Sequence, residues 1–175
     1  MKSLIPFEHS PSSDLFQVEA EIYLEGPDSG LLEFRVSGPL EQLIFPDPTI
    51  VESRRDELWK GTCLEAFFAA DTGPENSYLE MNVAPNGDWN AYEFSGYRQG
   101  MQTSEQTKVR VIHREGTSDE VLFRIRLESP LLGQMKWASL TTILKHTDGT
   151  STYWALKHPR SQPDFHDKDA FIAPL

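Results

Sequence analysis

The 175-residue sequence predicts an all-β fold, a single domain over residues 1–175 built as an antiparallel β-sandwich. Three observations predict it. Apolar and polar residues alternate with a period of two in segment after segment. Turn signals rich in Gly, Pro, Asn and Asp separate roughly ten such segments at roughly 8–12-residue spacing. No stretch carries the 3.6-residue periodicity of an amphipathic helix, so at most a short helical turn is expected.

In chain order, Phe7 to Asp14 is polar and broken by prolines, and reads as a loose lead-in. Phe16, Val18, Ala20, Ile22 and Leu24 then alternate with Gln17, Glu19, Glu21 and Tyr23, a half-buried strand. The turn Gly26-Pro27-Asp28-Ser29-Gly30 and a second alternating run, Leu32, Phe34 and Val36, complete a hairpin. Leu43-Ile44-Phe45 suits a short strand, but Pro46 and Pro48 interrupt pairing, so residues 40–56 read as a long surface loop. Within it, Ser53-Arg54-Arg55 reads as a solvated charge run. Three strands follow between Glu57 and Tyr97. Val109 and Val111 mark the next, and Val121, Phe123, Ile125 and Leu127 another, with Gly116-Thr117-Ser118-Asp119 turning between them. Residues 129–133 suit one helical turn opened by Pro130. Met135 to Lys145 and Thr152 to Leu156 are β-rich and joined by a turn at 146–149, and Phe171-Ile172 reads as a closing strand.

Bulk properties exclude several classes. A hydrophobic fraction of 38% with 11% aromatics argues against a disordered chain. The formal charge of −11, from 27 acidic and 16 basic residues, repels phosphate backbones and anionic lipid, so neither nucleic acid nor membrane is an expected partner. The lone Cys63 excludes an intrachain disulfide, and without a histidine nearby it reads as a small hydrophobe. The start MKSLIPFEHSPSS is too short in apolar residues for a signal-peptide core, and no segment approaches the roughly 20 apolar residues of a membrane span. A cytoplasmic setting is expected.

The chemistry concentrates in residues 57–97. By strand parity, Leu64, Ala66, Phe68, Leu79, Met81 and Val83 face a core. Cys63, Glu65, Phe67, Tyr78, Glu80 and Asn82 face the other way. On the third strand, Tyr92 and Phe94 are expected inside, with Trp89, Ala91 and Glu93 outside. The outer face then collects Glu65, Glu80 and Glu93 with Asn82, Tyr78 and Trp89. Clustered carboxylates need compensation from a cation such as calcium, a nearby arginine such as Arg98, or water. Carboxylates and amides beside flat aromatic rings also suit sugar hydroxyls. Such glutamates are equally what the wet face of an antiparallel sheet carries. Asn86-Gly87 is a turn that favours positive φ.

The C-terminal loop is the second candidate region. His158 and His166, with Asp164, Asp167 and Asp169, are of a type that binds metal, although their spacing matches no standard site. His9, His113 and His146 read as surface or turn residues. No nucleophile elbow, phosphate loop or H-E-x-x-H is present. A paired-carboxylate hydrolase would use Glu65 with Glu80 or Glu93.

The run Leu58-Trp59-Lys60-Gly61-Thr62-Cys63-Leu64-Glu65-Ala66-Phe67-Phe68, with Tyr78-Leu79-Glu80-Met81-Asn82-Val83-Ala84-Pro85-Asn86-Gly87, resembles carbohydrate-binding module family 9 and the wider DOMON-like superfamily. Tyr153-Trp154-Ala155-Leu156 and Pro163-Asp164-Phe165-His166 look like an uncharacterised bacterial branch of that group. The resemblance implies a sandwich of jelly-roll type, with immunoglobulin-like layers, that binds a ligand and catalyses nothing. It implies no cofactor. In the sugar-binding family two tryptophans clamp a terminal sugar, while a Glu and an Arg hold its hydroxyls. Trp59 matches the first tryptophan, Glu65 the glutamate and Arg98, by position, the arginine. Phe165 and His166 stand where the second tryptophan falls. The haem-binding branch needs axial Met or His ligands, and Met81 is expected in the core.

Three functions therefore compete. The first is a non-catalytic domain that grips a saccharide or similar small polar ligand with Trp59, Glu65, Arg98, Phe165 and His166, helped by Glu80, Asn82, Trp89, His158 and Asp164. The second is a hydrolase using Glu65 and Glu80, or a metal-dependent enzyme using His158 and His166. The third is an acidic face that docks a basic protein partner.

Overall fold

A computed structural model of the chain describes residues 1–46, 52–71 and 77–175, so Pro48 and the middle of the predicted 40–56 loop lie outside the described residues. Twelve strands are present among them: β1 (Lys2–Pro6), β2 (Gln17–Leu24), β3 (Ser29–Ser37), β4 (Cys63–Ala69), β5 (Tyr78–Val83), β6 (Trp89–Phe94), β7 (Gln102–Thr103), β8 (Lys108–Gly116), β9 (Glu120–Glu128), β10 (Trp137–Lys145), β11 (Ser151–Ala155) and β12 (Ala173–Pro174). The helical content is five single 3-10 turns, at Ser13–Leu15, Leu40–Gln42, Leu58–Lys60, Leu132–Gln134 and Lys168–Ala170. The fold is all-β, as the alternation predicts. No helix among the described residues is long and apolar enough to cross a membrane.

The strands form one antiparallel sheet in the order β7-β6-β5-β4-β10-β11-β1-β2-β3-β9-β8, with β12 added beside β10. The bend lies at β1. Its first half pairs with β2, Leu4 opposite Val18, and its second half with β11, Ile5 opposite Ala155. The sheet thereby curls back on itself, and its halves enclose one core. Val18, Leu32, Phe34, Phe123, Ile125 and Leu127 come from one half, and Leu64, Phe68, Leu79, Met81, Leu140 and Trp154 from the other. This is the alternation of a sandwich, with one residue in two turned inward.

Several expectations need correction. Residues 2–6, ahead of the lead-in, form a strand that the alternation does not signal. The 40–56 segment holds no strand among its described residues, as the loop reading expects, although Leu43 makes a single bridge to His146. His146 is buried against Phe16, with ring centroids 5.5 Å apart, so it is not a surface residue. The closing strand is Ala173–Pro174, because Phe171 turns into a second apolar cluster. Phe94 belongs to that same cluster, with Tyr92. Partners across antiparallel strands share a face, and Glu80 opposes Tyr92 while Val83 opposes Trp89. The parity of β6 is therefore the reverse of the expected one: Trp89 packs on the main core. Glu93, opposite Leu79, lies on the other face from Glu65 and Glu80 and accepts from Ser104 Oγ.

Ser53-Arg54-Arg55 is not a solvated run either. Arg54 lies 4.3 Å over the Trp89 ring, and its guanidinium donates to the carbonyls of Ser104 and Thr107 and to Asn90 Oδ1. Arg54 pairs in parallel with Trp89, and Arg55 N–H donates to Trp89 O, which ties this segment to the edge of β6. The Asn-Gly turn holds Gly87 at φ +99°, the conformation its sequence favours.

Arg54→Ala leaves two buried-side carbonyls without their charged donor and is expected to lower the thermal midpoint by roughly 5–10 °C. Thermal unfolding followed by circular dichroism measures it, and a shift below about 2 °C would show that the clamp is not structural.

Candidate functional site

Every residue of β4 and β5 is buried, which is unusual for strands of an antiparallel sheet. One face packs on the main core. The other is covered by the C-terminal segment and the Trp59 turn, forming the second cluster of Cys63, Phe67, Tyr78, Tyr92, Phe94, Phe165 and Phe171. The expected wet face is therefore a covered one. It offers no acidic patch to a basic partner, since Glu65 and Glu80 are only 2% and 5% exposed.

The cover is held by rings. Tyr78 stacks on Phe94 at 4.6 Å, and the His166 ring stands edge-on to Phe67, Tyr78 and Phe94 at 5.3, 5.8 and 5.2 Å. Phe165 packs on Phe67 at 6.5 Å and on Tyr153 at 6.2 Å. Between the cover and the Trp59 turn the face remains open, as a cleft of about 350 Å³. The sheet supplies Glu65, Phe67, Glu80, Phe94, Ile143 and Tyr153, and the surrounding turns supply Trp59, Arg98, Met101, Pro163, Phe165 and His166.

Six of the ten residues singled out in the sequence meet here: Trp59, Glu65, Glu80, Arg98, Phe165 and His166. Asn82 lies alongside and donates to Glu80 Oε1 at 2.7 Å. Asp164 stands behind the cleft, accepting from Arg98 at 2.9 Å and from the Tyr97 hydroxyl. Trp89 is excluded, being on the opposite face. His158 is excluded too, since its ring bonds to Ile5 O at 3.0 Å. His158 and His166 thus serve separate contacts, and among the described residues no group of three or more His, Cys, Asp or Glu could hold a metal ion. Tyr153, Ile143, Met101 and Pro163 are not among the candidate site residues read from the sequence. Alternation about Trp154, which faces the main core, is the signal that places Tyr153 on the cleft side.

The floor is electrostatically unusual. Glu65 opposes Asn82 across β4 and β5, and Glu80 opposes Phe67, so the two glutamates are diagonal neighbours on one face. Burial and the neighbouring Glu80 push the Glu65 carboxyl up to about 8, and burial pushes Glu80 up to about 7. Glu65 receives a hydrogen bond from Thr141 Oγ1 at 3.3 Å and a weaker one from the Cys63 thiol. Burial, with the nearby Arg98 charge, drives His166 down to about 4, so its ring is neutral near pH 7. The Tyr78 hydroxyl accepts the Arg98 backbone N–H at 3.2 Å and shares a hydrogen bond with His166 Nδ1 at 2.7 Å, so Nε2 is the ring nitrogen left toward the cleft. Burial would raise Asp164, but the Tyr97 and Arg98 hydrogen bonds hold it below the usual carboxylate range. Burial pushes the Cys63 thiol well up, and it is an inert core residue.

No protein-family model and no curated protein matches the chain. A solved structure, the "putative carbohydrate-binding protein" from Bacteroides uniformis, is similar over 96% of this chain and 83% of its own, with a TM-score of 0.60 and 11% sequence identity. The two share a fold.

The buried carboxyls predict a pH signature. Their folded-state values lie above the unfolded one of about 4.5, so the native state holds protons that the unfolded chain releases. The stability this gives is complete only below about pH 4.5 and is lost progressively as pH rises to about 7 for Glu80 and about 8 for Glu65. His166, lowered from 6.5, works in the opposite sense only below that value. The thermal midpoint should therefore fall between about pH 6.5 and about pH 8.5, with a shallower fall in Glu65→Gln. An identical slope in wild type and variant would remove Glu65 from this account.

Proposed function

We propose that the cleft binds a saccharide or similar small polar ligand without catalysing its conversion, and that the chain is a distant relative of the family 9 carbohydrate-binding and DOMON-like domains. The observation that carries this reading is the pairing of aromatic walls, Trp59, Tyr153 and Phe165, with a buried polar floor in one cleft. A pyranose has the matching amphipathy: an apolar ring face that stacks on an aromatic side chain and hydroxyls that require hydrogen bonds. A volume of about 350 Å³ suits a ligand of one or two sugar rings. On this reading Trp59 and Tyr153 grip the ring, Glu65 and Glu80 accept from hydroxyls, and Arg98 and His166 Nε2–H donate to ligand oxygens. The shared fold with the Bacteroides uniformis protein supports it.

A thermal-shift screen of mono- and disaccharides, followed by calorimetric titration of the hits, tests the proposal. Trp59→Ala and Tyr153→Ala should each weaken binding by about tenfold or more, the loss of one well-packed aromatic stack. Binding that survives both substitutions would move the site elsewhere.

A hydrolase reading has one observation in its favour. Two buried carboxyls poised near neutrality are what a general acid and its partner carboxylate require. Incubation with nitrophenyl glycosides separates the two readings. Binding alone predicts no release above buffer, whereas turnover that disappears in Glu65→Gln would establish an enzyme.

A further inference from the structure

The base of the cleft holds more hydrogen-bond acceptors than donors. Glu65 Oε1, Glu80 Oε2 and Asn82 Oδ1 have no hydrogen-bond partner, and their side chains are at least nine-tenths buried. Leaving one such group unmatched costs about 1–3 kcal/mol. The protons that burial holds on Glu65 and Glu80 offset this only while both carboxyls stay uncharged. Once they ionise, the face needs a donor from outside the chain. The Thr141 hydroxyl and the Cys63 thiol reach Glu65 but bring no charge, and the charged or ring donors nearby are committed elsewhere. His166 Nδ1 lies 3.9 Å from Glu80 Oε2 but is occupied by the Tyr78 hydroxyl. Arg98, the cation of the cleft, is already ion-paired with Asp164 at 2.9 Å. Ionisation of Glu65 or Glu80 is therefore left without a free counter-charge from the cleft, and aromatic rings, Trp59, Phe67 and Phe94, border the site.

Building on the saccharide reading, we infer that the ligand carries a protonated primary amine, as an amino sugar does, and that this ammonium enters between Glu65 Oε1 and Glu80 Oε2. A hydroxyl brings one donor to the pair, whereas an ammonium brings three and a charge that favours the ionised form of both carboxyls. The bordering rings add cation–π attraction, strongest for a desolvated cation. A calcium ion fits the site less well, because it requires six to eight oxygens and the face offers three free acceptors. The anchoring group and the stacked ring divide the work: Trp59 and Tyr153 hold the sugar plane, and the glutamates select its amine.

Calorimetric titration of the wild-type protein with matched probes tests this at neutral pH: glucosamine, N-acetylglucosamine and glucose, then cyclohexylammonium and cyclohexanol. The expected result is that each amine binds at least about tenfold tighter than its acetylated or hydroxyl counterpart, with the preference reduced to below about twofold in Glu65→Gln or Glu80→Gln. Glucose or N-acetylglucosamine binding as tightly as glucosamine, in a manner that depends on Trp59, would overturn the amine and leave the saccharide reading standing. Binding of cyclohexylammonium but of no sugar would uphold the amine and overturn the saccharide. If no probe binds, both fall.

Discussion

The two-sided burial of β4 and β5 is the constraint on which the rest of the molecule depends. A strand in an antiparallel sheet normally leaves one face to water, and its polar residues are satisfied there. Here the second face carries Cys63, Phe67, Tyr78 and Phe94 as well as Glu65 and Glu80, and the apolar members demand a cover. The cover traps the glutamates. Once Phe165, His166 and Phe171 dock on Phe67 and Tyr78, two carboxyls lie in a medium that disfavours their charge, and they respond by holding protons. The cleft is the part of that face which the cover leaves open.

The curl of the sheet makes this arrangement accessible to a chain of modest length. Because β1 pairs with β2 through its first half and with β11 through its second, one short strand serves both halves of the sandwich. Both halves then share the core residues from Phe34 and Phe123 to Leu79 and Met81. The last strand, β12, adds beside β10 at Trp137 and Ala138, which anchors the end of the covering segment to the sheet it covers. Phe171 follows from that anchor, two residues before β12.

Much of the fold is legible in the sequence, since hairpins such as β2–β3 and β8–β9 announce themselves by alternation and turn chemistry. β1 is not, because only Leu4 of its five residues is buried and its partner β11 lies some 150 residues away in the chain. The parity of β6 is also hidden. Tyr92 and Phe94 read as core by hydrophobicity, and they are core, but of the second cluster. Cys63 to Ala69 does contain the sign of two-sided burial, an apolar run interrupted once, by Glu65. The cleft itself is half legible. Trp59, Glu65 and the 163–166 segment carry a recognisable pattern, whereas Tyr153 needs Trp154 to be placed first. Arg54 shows the limit of composition: a charge run flanked by acids reads as solvated until the carbonyls of Ser104 and Thr107 are found beneath it.

The backbone singles out the same region independently of the side chains. Among the described residues, the non-glycine residues with positive φ are Glu57, at +61°, and Arg98, at +52°. Such a conformation costs about 1–2 kcal/mol for a residue with a Cβ, and it persists only where surrounding contacts impose it. Glu57 immediately precedes the turn that presents Trp59, and Arg98 donates its backbone N–H to Tyr78 and its side chain to Asp164. Both outliers therefore set the walls of one cleft. Relaxing Arg98 would withdraw the hydrogen bond that holds the Tyr78 hydroxyl beside His166 Nδ1. Strain of this kind has no use in a face that merely needs covering. It is explained if the positions of Trp59, Arg98 and His166 matter to something that binds between them.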